Sequence, residues 1–259
     1  MKYQLQAQEK KGEEMDSSER RVVLVTGGTK GLGLAIVKSL SKQPSFVIVA
    51  AARKESLEIT KLVNEADNVF FEELDLSESA SLHQWAKNFF SKYGAPYGLI
   101  NNAAIAHDGV LATMHESQIE ETISVNVIGN ITLTKYMSRK MLTKRSGRIV
   151  NISSIIASTG FNGLSVYAAS KAALNGFTKS LASELGRVGI TVNSVAPGYM
   201  ETEMSSGLID EQLAQIKRRS ALRRLATTEE VASIVRYLMT DEAAAVTGTI
   251  FTVDAGNTA

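Results

Sequence analysis

The chain alternates short apolar runs with segments that are long enough to form helices. Runs rich in Val, Ile or Phe, bounded by Gly, Asn, Asp or Pro, occupy residues 22–26, 46–51, 69–73, 98–101, 148–152, 191–196 and 249–253. These runs predict strands. Helices are predicted at residues 32–42, 56–65, 79–93, 116–144, 165–188 and 228–239. Strands that alternate with helices pair in parallel through right-handed crossovers, and strands that are apolar on both faces belong to a sheet covered on both sides. The sequence therefore predicts a doubly wound α/β fold with a seven-stranded parallel sheet.

Length and composition narrow the possible classes of protein. A chain of 259 residues is expected to bury one large core, so we predict a single domain over residues 21–259. The net charge of +1 gives no reason to expect a nucleic acid or a membrane as a partner. The absence of cysteine excludes disulfides and fits a reducing, cytoplasmic location. The three histidines, His83, His107 and His115, lack the spacing of a helical zinc motif, and no metal site is predicted.

Two segments fall outside the alternation of strands and helices. Residues 1–20 are polar and mixed in charge, so we expect a disordered tail that is neither a secretory signal nor a membrane span. Residues 199–225 leave the carboxyl end of a predicted strand, where ligands bind in open α/β sheets. This position suggests a mobile substrate lid, although an ordinary surface excursion has the same length.

A tyrosine and a lysine lie four residues apart near the start of a predicted helix. Tyr167 and Lys171 would stand one helical turn apart, with their polar ends side by side. A neighbouring ammonium favours the phenolate and lowers the pKa of a phenol, so the pair could act as a general acid or base. Ser154, at the close of the preceding strand, could hydrogen-bond the same reacting oxygen. The same spacing also occurs on ordinary surface helices, so the catalytic interpretation needs support from other parts of the chain.

A glycine-rich turn joins the first predicted strand to the first predicted helix. It reads Thr26-Gly27-Gly28-Thr29-Lys30-Gly31-Leu32-Gly33. Glycine lets the backbone turn sharply and lets a pyrophosphate approach the amides of a helix N-terminus. The spacing is Gly-x-x-x-Gly-x-Gly and differs from the standard Gly-x-Gly-x-x-Gly. A plain strand–helix turn could use these residues, but the position at the first strand–helix junction favours dinucleotide binding.

Together, the glycine turn and the Tyr167–Lys171 pair resemble the short-chain dehydrogenase/reductase family, whose fold is a Rossmann-like sheet. The resemblance extends from Val22 to Gly256. It places Asp75-Leu76 after the third strand against an adenine ring, and Asn126 at the position of a catalytic Asn within a helix. Ser154 precedes Tyr167 by 13 residues, the family's usual gap, which favours Ser154 over Ser153.

Two further motifs carry the resemblance. Asn101-Asn102-Ala103-Ala104 is similar to the family's Asn-Asn-Ala-Gly strand end, with Ala in place of the final Gly. Pro197-Gly198, with Thr202, resembles the loop that holds the nicotinamide carboxamide. The predicted cofactor-binding residues are Gly27, Thr29, Lys30, Gly31, Leu32, Gly33, Arg53, Asp75, Leu76, Asn102, Ala103, Ala104, Tyr167, Lys171, Pro197, Gly198, Met200 and Thr202.

The resemblance also implies a catalytic set of four residues. Tyr167 would exchange a proton with the reacting oxygen while hydride passes between the nicotinamide and the carbonyl carbon, and Ser154 would polarise that oxygen. Lys171 would bind the nicotinamide ribose and lower the pKa of the phenol. Asn126 would hold a water that relays protons through Lys171 to solvent. A mid-helix Asn is locally unfavourable, so a functional reason competes with a simple helix kink.

Charge at the end of the second strand predicts the form of the cofactor. Enzymes of this fold that use NAD commonly place an acidic residue there, and this carboxylate would repel a 2′-phosphate. Here the strand ends Ala50-Ala51-Ala52-Arg53, with no acid until Glu55, and Lys30 adds a second cation. Both cations can pair with phosphate, so the sequence predicts NADP(H), unless both are merely solvated.

Within the family, the chain is most similar to 3-oxoacyl-[acyl-carrier-protein] reductases. His107-Asp108-Gly109-Val110-Leu111 resembles their Arg-Asp-Gly-Leu-Leu segment, and residues 197–204 resemble their Pro-Gly-Phe-Ile-Glu-Thr-Asp-Met. The resemblance implies carrier docking near Arg145 and a homotetramer built on the helices at 116–144 and 165–188. The alternatives are an NADPH-dependent reductase of a free ketone, a sugar or a polyketide intermediate, and a non-catalytic dinucleotide-binding module. The four predicted catalytic residues favour an enzyme over the module.

Overall fold

The computed structural model describes residues 20–200 and 210–259. Within these residues, seven strands form one parallel sheet in the order β3-β2-β1-β4-β5-β6-β7. The strands are β1 (Arg21–Thr26), β2 (Phe46–Ala52), β3 (Val69–Glu73), β4 (Gly98–Asn101), β5 (Gly147–Ile152), β6 (Ile190–Pro197) and β7 (Ile250–Val253). The predicted fold class is confirmed, and each strand end lies within one residue of its prediction.

Helices cover both faces of the sheet. They are α1 (Gly31–Ser41), α2 (Leu57–Glu65), α3 (Leu82–Tyr93), α4 (Glu116–Ile123), α5 (Asn130–Lys144), α6 (Ile156–Thr159), α7 (Ser165–Leu185), α8 (Asp210–Arg219) and α9 (Thr228–Leu238). One apolar core lies between the sheet and α1, α2 and α9, and a second lies between the sheet and α3, α5 and α7. Burial of each large aliphatic side chain in these cores contributes about 1.5–3 kcal/mol.

The strand order reverses beside the first strand. β1 pairs in parallel with β2 on one side and with β4 on the other. The connections that leave β1 and β4 therefore run to opposite faces of the sheet and open a crevice at its carboxyl edge. In open α/β sheets, this crevice is where ligands bind.

The long helix predicted at 116–144 is interrupted. A π-helical segment, Ser124–Gly129, separates α4 from α5. Its last residue, Gly129, packs so closely that an added Cβ would lie 2.3 Å from the Leu76 main-chain oxygen. π-Helical turns are frequent at functional sites because they re-aim side chains that a regular helix would direct elsewhere.

Parts of two predicted segments lie outside the described residues. Of the predicted tail at 1–20, the structure describes only Arg20. Of the predicted lid at 199–225, it describes residues 199–200 and 210–225. The chain after α8 is tied to the C-terminal segment, because Ala221 N donates to Gly256 O at 3.2 Å and Leu222 N donates to Ala255 O at 3.0 Å. The lid remains a prediction.

Candidate active site

One cavity of about 1070 Å³ lies at the carboxyl edge of the sheet. It extends from the glycine turn to the first turns of α7 and brings together residues from the loops that follow most of the strands. The predicted site residues that line it are Gly27, Thr29, Lys30, Gly31, Leu32, Gly33, Arg53, Asp75, Leu76, Asn102, Ala103, Ala104, Ser154, Tyr167, Lys171, Pro197, Gly198 and Met200. Asn126 is buried outside this lining, and Thr202 lies outside the described residues.

The glycine turn forms a backbone cradle at the N-terminus of α1. Gly27 has a φ of +64°, which L residues with side chains rarely adopt. A Cβ on Gly33 would lie 2.0 Å from Gly27 O and 2.6 Å from Asn102 Nδ2. Only glycine fits at these two positions, and the turn lines the cavity at the N-terminus of α1. This arrangement fits a pyrophosphate at a helix N-terminus.

The loop after β4 is fixed against the end of β1. Thr26 Oγ1 accepts hydrogen bonds from the main-chain N atoms of Asn102 and Ala103, both at 3.0 Å. Asn102 Nδ2 donates in return to Thr26 O at 2.9 Å and to Gly27 O at 3.2 Å. The two sides of the crevice are therefore held together by the side chains of Thr26 and Asn102, the second of which belongs to the predicted Asn-Asn-Ala-Ala motif.

The end of the cavity beside the glycine turn is formed by the loops after β2 and β3. Ser56 Oγ donates to Thr29 O at 2.6 Å, which joins the loop after β2 to the glycine turn. Arg53 lies exposed at this end of the cavity, close in sequence to Glu55. On the other side, Asp75 Oδ1 accepts from Ser77 N at 2.9 Å and from Ser77 Oγ at 2.7 Å, so its carboxylate closes the turn that leaves β3.

Tyr167, Ser154 and Lys171 meet at the other end of the cavity. Burial raises the pKa of Tyr167 to about 12, and a hydrogen bond with the Ser154 side chain acts in the opposite direction. Ser154 Oγ also accepts from Ile156 N at 3.2 Å, which fixes it at the start of α6. Ser153, by contrast, uses its Oγ to donate to Lys171 O at 3.1 Å. The hydroxyl that contacts Tyr167 is therefore that of Ser154.

Lys171 is buried beneath Tyr167. Its Nζ donates to Ile152 O at 2.8 Å and lies 5.6 Å from the centroid of the Tyr167 ring. Burial lowers the pKa of Lys171 to about 8. An amine with this pKa gains and loses a proton close to neutral pH. The acidification of the phenol by Lys171 remains a prediction.

Asn126 lies in the π-helical segment and is fully buried. Its Oδ1 accepts from Ile105 N at 2.8 Å, and its Nδ2 donates to Ile105 O at 2.8 Å and to Ser170 Oγ at 3.0 Å. The side chain therefore joins the loop after β4 to α7. Both N–H groups of the amide are used within the protein.

Beneath the site, buried polar side chains form a hydrogen-bonded network that was not predicted from the sequence. Asn101 Nδ2 donates to Thr134 Oγ1 and to Asn151 Oδ1, each at 2.8 Å, and Asn151 Nδ2 donates to Thr178 Oγ1 at 2.8 Å. These bonds connect β4 and β5 to α5 and α7. The sequence does contain a signal for this network, which is an Asn at the end of an apolar strand. The side-chain amide of such an Asn is buried and requires hydrogen-bond partners.

Comparisons with known proteins agree with this geometry. A family model described as Enoyl-(Acyl carrier protein) reductase matches residues 27–258. The 3-oxoacyl-[acyl-carrier-protein] reductase FabG of Haemophilus influenzae is 37% identical over 238 residues, which cover 91% of this chain and 97% of the relative. The FabG of Escherichia coli is 36% identical, with coverage of 92% and 97%. Nodulation protein G of a Rhizobium species is 37% identical, with coverage of 91% and 96%.

The fold and the site define a dinucleotide-dependent oxidoreductase that acts on alcohol or carbonyl groups. The chain belongs to the short-chain dehydrogenase/reductase family. Its cofactor is a nicotinamide dinucleotide, and the glycine cradle and the cavity that continues to Tyr167 fit such a molecule. In the part of the chain that the structure describes, no helix is long and apolar enough to span a bilayer.

Proposed function

We propose that this chain reduces the ketone of a 3-oxoacyl thioester to a hydroxyl group, with NADPH as the reductant and an acyl carrier protein as the carrier. The observation that carries the proposal is the single cavity that contains both the glycine turn and the Ser154, Tyr167 and Lys171 side chains. The relatives named 3-oxoacyl-[acyl-carrier-protein] reductase support the choice of substrate class.

Tyr167 acts as the proton donor in this proposal. Because its pKa is about 12, the phenol is protonated at neutral pH, which is the form that an acid in a reduction needs. Ser154 Oγ accepts from the Ile156 amide and hydrogen-bonds Tyr167, and a bound substrate's carbonyl oxygen would take the place of Tyr167 as the acceptor of the Ser154 hydrogen. The nicotinamide, when bound, supplies the hydride to the carbonyl carbon. The two hydroxyl groups stabilise the negative charge that develops on the oxygen.

Lys171 and Asn126 restore the proton that Tyr167 gives up. Lys171 Nζ uses one N–H on Ile152 O, so two others remain for the cofactor ribose and for the Tyr167 oxygen. Its pKa of about 8 suits an intermediate carrier of protons. Because both N–H groups of Asn126 are engaged, a relay water must donate to an Asn126 oxygen.

The preference for NADPH rests on the end of β2. The strand ends at Ala52, and the next side chain is that of Arg53, which lines the cavity. A guanidinium at this position can pair with a 2′-phosphate in a bidentate manner. Lys30 follows Thr29 in the glycine turn and also lines the cavity, so it adds positive charge near the loop after β2, which the Ser56–Thr29 hydrogen bond joins to this turn. Asp75 and Leu76 would hold the adenine of a bound cofactor, and the loop at Pro197 and Gly198 would hold its carboxamide.

Arg145, the proposed docking residue for the carrier, lies at the edge of the sheet opposite the cavity. Arg145 is exposed, precedes β5, and its main-chain oxygen lies 3.0 Å from a Cβ built on Gly189, which precedes β6. Arg145 therefore lies at the amino ends of the strands, about 20 Å along β5 from the cavity. We infer that a carrier bound there would deliver its substrate to the site of another copy in the tetramer.

We also propose a homotetramer, for which α7 offers a suitable contact surface. Small residues, Ala169, Ala172, Ala173 and Gly176, are exposed along this helix. Small side chains allow another helix to approach closely, and a Cβ built on Gly176 meets no atom within 4 Å among the described residues.

We also propose a cytoplasmic location, which fits a chain without cysteine.

One assay tests the proposed function. NADPH oxidation is measured with acetoacetyl thioesters of coenzyme A and of acyl carrier protein, beside a panel of simple ketones and sugars, and is repeated with NADH. The proposal requires turnover of the thioesters and a preference for NADPH. Inert thioesters with turnover of another ketone would establish the free-carbonyl alternative, and complete inactivity would favour the non-catalytic module.

The Arg145→Glu variant tests the docking of the carrier. It is expected to raise KM for the thioester of acyl carrier protein and to leave KM for the thioester of coenzyme A unchanged.

A further inference from the structure

The carboxylate of Asp254 closes a turn that follows β7. Its Oδ1 accepts from Gly256 N at 2.9 Å, and its Oδ2 accepts from Thr258 N at 2.9 Å and from Thr258 Oγ1 at 2.7 Å. Only 9% of the surface of Asp254 is exposed. A buried carboxylate that accepts three hydrogen bonds fixes the groups that donate them. Residues 254–258 are called the C-terminal turn below.

The C-terminal turn contains a backbone conformation that needs such support. Ala255 has a φ of +56° and Gly256 has a φ of +75°. A residue with a side chain rarely adopts the left-handed conformation, and Ala255 keeps it only where the surrounding structure enforces it. The hydrogen bonds from Gly256 and Thr258 to the Asp254 carboxylate span Ala255 and therefore hold it in this conformation.

One side of the C-terminal turn lies against the loop that is proposed to hold the nicotinamide carboxamide. Gly198 N, in this loop, donates to Val253 O at 2.9 Å. A Cβ built on Gly198 would lie 2.6 Å from the Cβ of Asp254, so there is no room for a side chain between them. Gly198 also lines the cavity. The start of the turn is thus in direct contact with a wall of the cavity.

The other side of the C-terminal turn holds the end of α8. Asn257 Nδ2 donates to Ile216 O in α8 at 3.3 Å, and Ala221 N, just after α8, donates to Gly256 O at 3.2 Å. No residue of α8 in the described part of the chain belongs to either apolar core, so these hydrogen bonds fix its C-terminal end. Gln212, near the start of α8, lines the cavity. The position of α8 therefore affects the shape of the cavity.

We propose that Asp254 is a positioning residue that holds α8 in place as a wall of the cavity. Its carboxylate holds the C-terminal turn, and the turn joins α8 to the loop at Gly198. Asp254 does not line the cavity and acts only through this connection. When the connection is broken, α8 moves with respect to Gly198 and the space for the substrate changes. The inference rests on the proposed function only for the substrate that is used to measure KM.

Two variants break the connection at different points. Asp254→Asn replaces an acceptor oxygen by an N–H donor, so at least one hydrogen bond of the turn is lost. Asn257→Ala removes the donor to Ile216 O and leaves the carboxylate in place. We expect each variant to raise KM for an acetoacetyl thioester by about five- to tenfold and to change kcat by less than about twofold. The double variant should have the KM of the more affected single variant, because both changes break the same connection.

Asp241→Asn is the matched control. Asp241 accepts hydrogen bonds from Arg21 Nη1 at 2.9 Å and Nη2 at 2.8 Å, at the edge of the sheet where β1 begins. The variant makes the same carboxylate-to-amide change far from α8, so KM for the thioester should equal that of wild type.

Hydrogen exchange provides a second measurement, which needs no substrate. The main-chain amides of α8 should exchange faster in Asp254→Asn and in Asn257→Ala than in wild type. In Asp241→Asn they should exchange as in wild type.

The outcomes separate the role of Asp254 from the proposed function. A wild-type KM in either single variant, or KM increases that multiply in the double variant, would overturn the role of Asp254 and leave the proposed function intact. Unchanged exchange of the α8 amides would also overturn it. If the wild-type protein does not reduce the thioester, the proposed function is wrong, and the exchange measurement alone decides the role of Asp254.

Discussion

The side-chain amide of Asn126 is paired with the main chain of Ile105 at both ends. Ile105 N donates to Asn126 Oδ1, and Asn126 Nδ2 donates to Ile105 O, each at 2.8 Å. Ile105 lies in the loop that forms one wall of the cavity, and Asn126 lies in the π-helical segment. A break in the helix thus positions the wall of the site.

Asn126→Asp tests this relationship. The substitution replaces a buried N–H donor by an oxygen, which leaves Ile105 O and Ser170 Oγ without that donor. We expect the free energy of unfolding to fall by about 1–3 kcal/mol, and kcat to fall as the cavity wall moves. Urea unfolding and steady-state kinetics measure the two effects. Asn88→Asp, at an exposed position on α3, is the matched control and should change stability by less than about 0.5 kcal/mol.

The close approach at Gly33 predicts a loss of cofactor binding. In Gly33→Ala the added methyl would overlap Gly27 O, which lies 2.0 Å away, so the glycine turn must shift. We expect the Kd for NADPH to rise by at least about tenfold in titrations of the nucleotide fluorescence. Gly186→Ala introduces the same methyl where no atom lies within 4 Å, and its Kd should equal that of wild type. Equal binding by the two variants would contradict the assignment of this turn to the cofactor.

The local pattern of the chain was sufficient to predict the sheet but not the details of the site. The strands are short apolar runs between turn residues, and both signals are contiguous in sequence, so β3 and β4 were predicted with their observed ends. The spacing of Tyr167 and Lys171 likewise follows from helical geometry alone. The partner of the Asn126 side chain in the π-helical segment is the main chain of Ile105, 21 residues away, which no local pattern indicates. The hydrogen bonds of Asn101 and Asn151 likewise join residues 27 to 50 positions apart, so they depend on the folded chain.

Arg53 is expected to determine the preference for NADPH. Removal of a charge-assisted hydrogen bond costs about 1.5–3 kcal/mol, so Arg53→Ala should raise KM for NADPH by roughly ten- to a hundredfold. KM for NADH should remain nearly constant, since NADH has no 2′-phosphate. Arg139→Ala removes a cation from the exposed face of α5 and serves as the control. A parallel change in both KM values would show that Arg53 does not contact the phosphate.

Burial of Lys171 predicts a pH dependence of stability. Its pKa is lowered from 10.5 to about 8 in the folded protein. Below pH 8 the Lys171 amine is protonated in both the folded and the unfolded protein. The buried positive charge then lowers the free energy of unfolding by its full cost, roughly 3 kcal/mol. Between pH 8 and 10.5 the unfolded chain binds a proton that the folded chain lacks, so stability rises with pH.

Lys171→Met removes this titration. Relative to the variant, the wild type should gain roughly 2 kcal/mol in free energy of unfolding between about pH 8 and pH 10, as measured by urea unfolding. Taking the difference between the two proteins cancels the contribution of the ionisable groups that they share. A difference that does not vary with pH would contradict a lowered pKa for Lys171.

Proton donation by the Tyr167 phenol is the central claim, and Tyr167→Phe tests it most directly. NADPH oxidation by an acetoacetyl thioester should fall by about 10²–10⁴-fold in kcat, the usual contribution of a general acid, while the Kd for NADPH changes little. A variant that keeps the wild-type kcat would contradict the account.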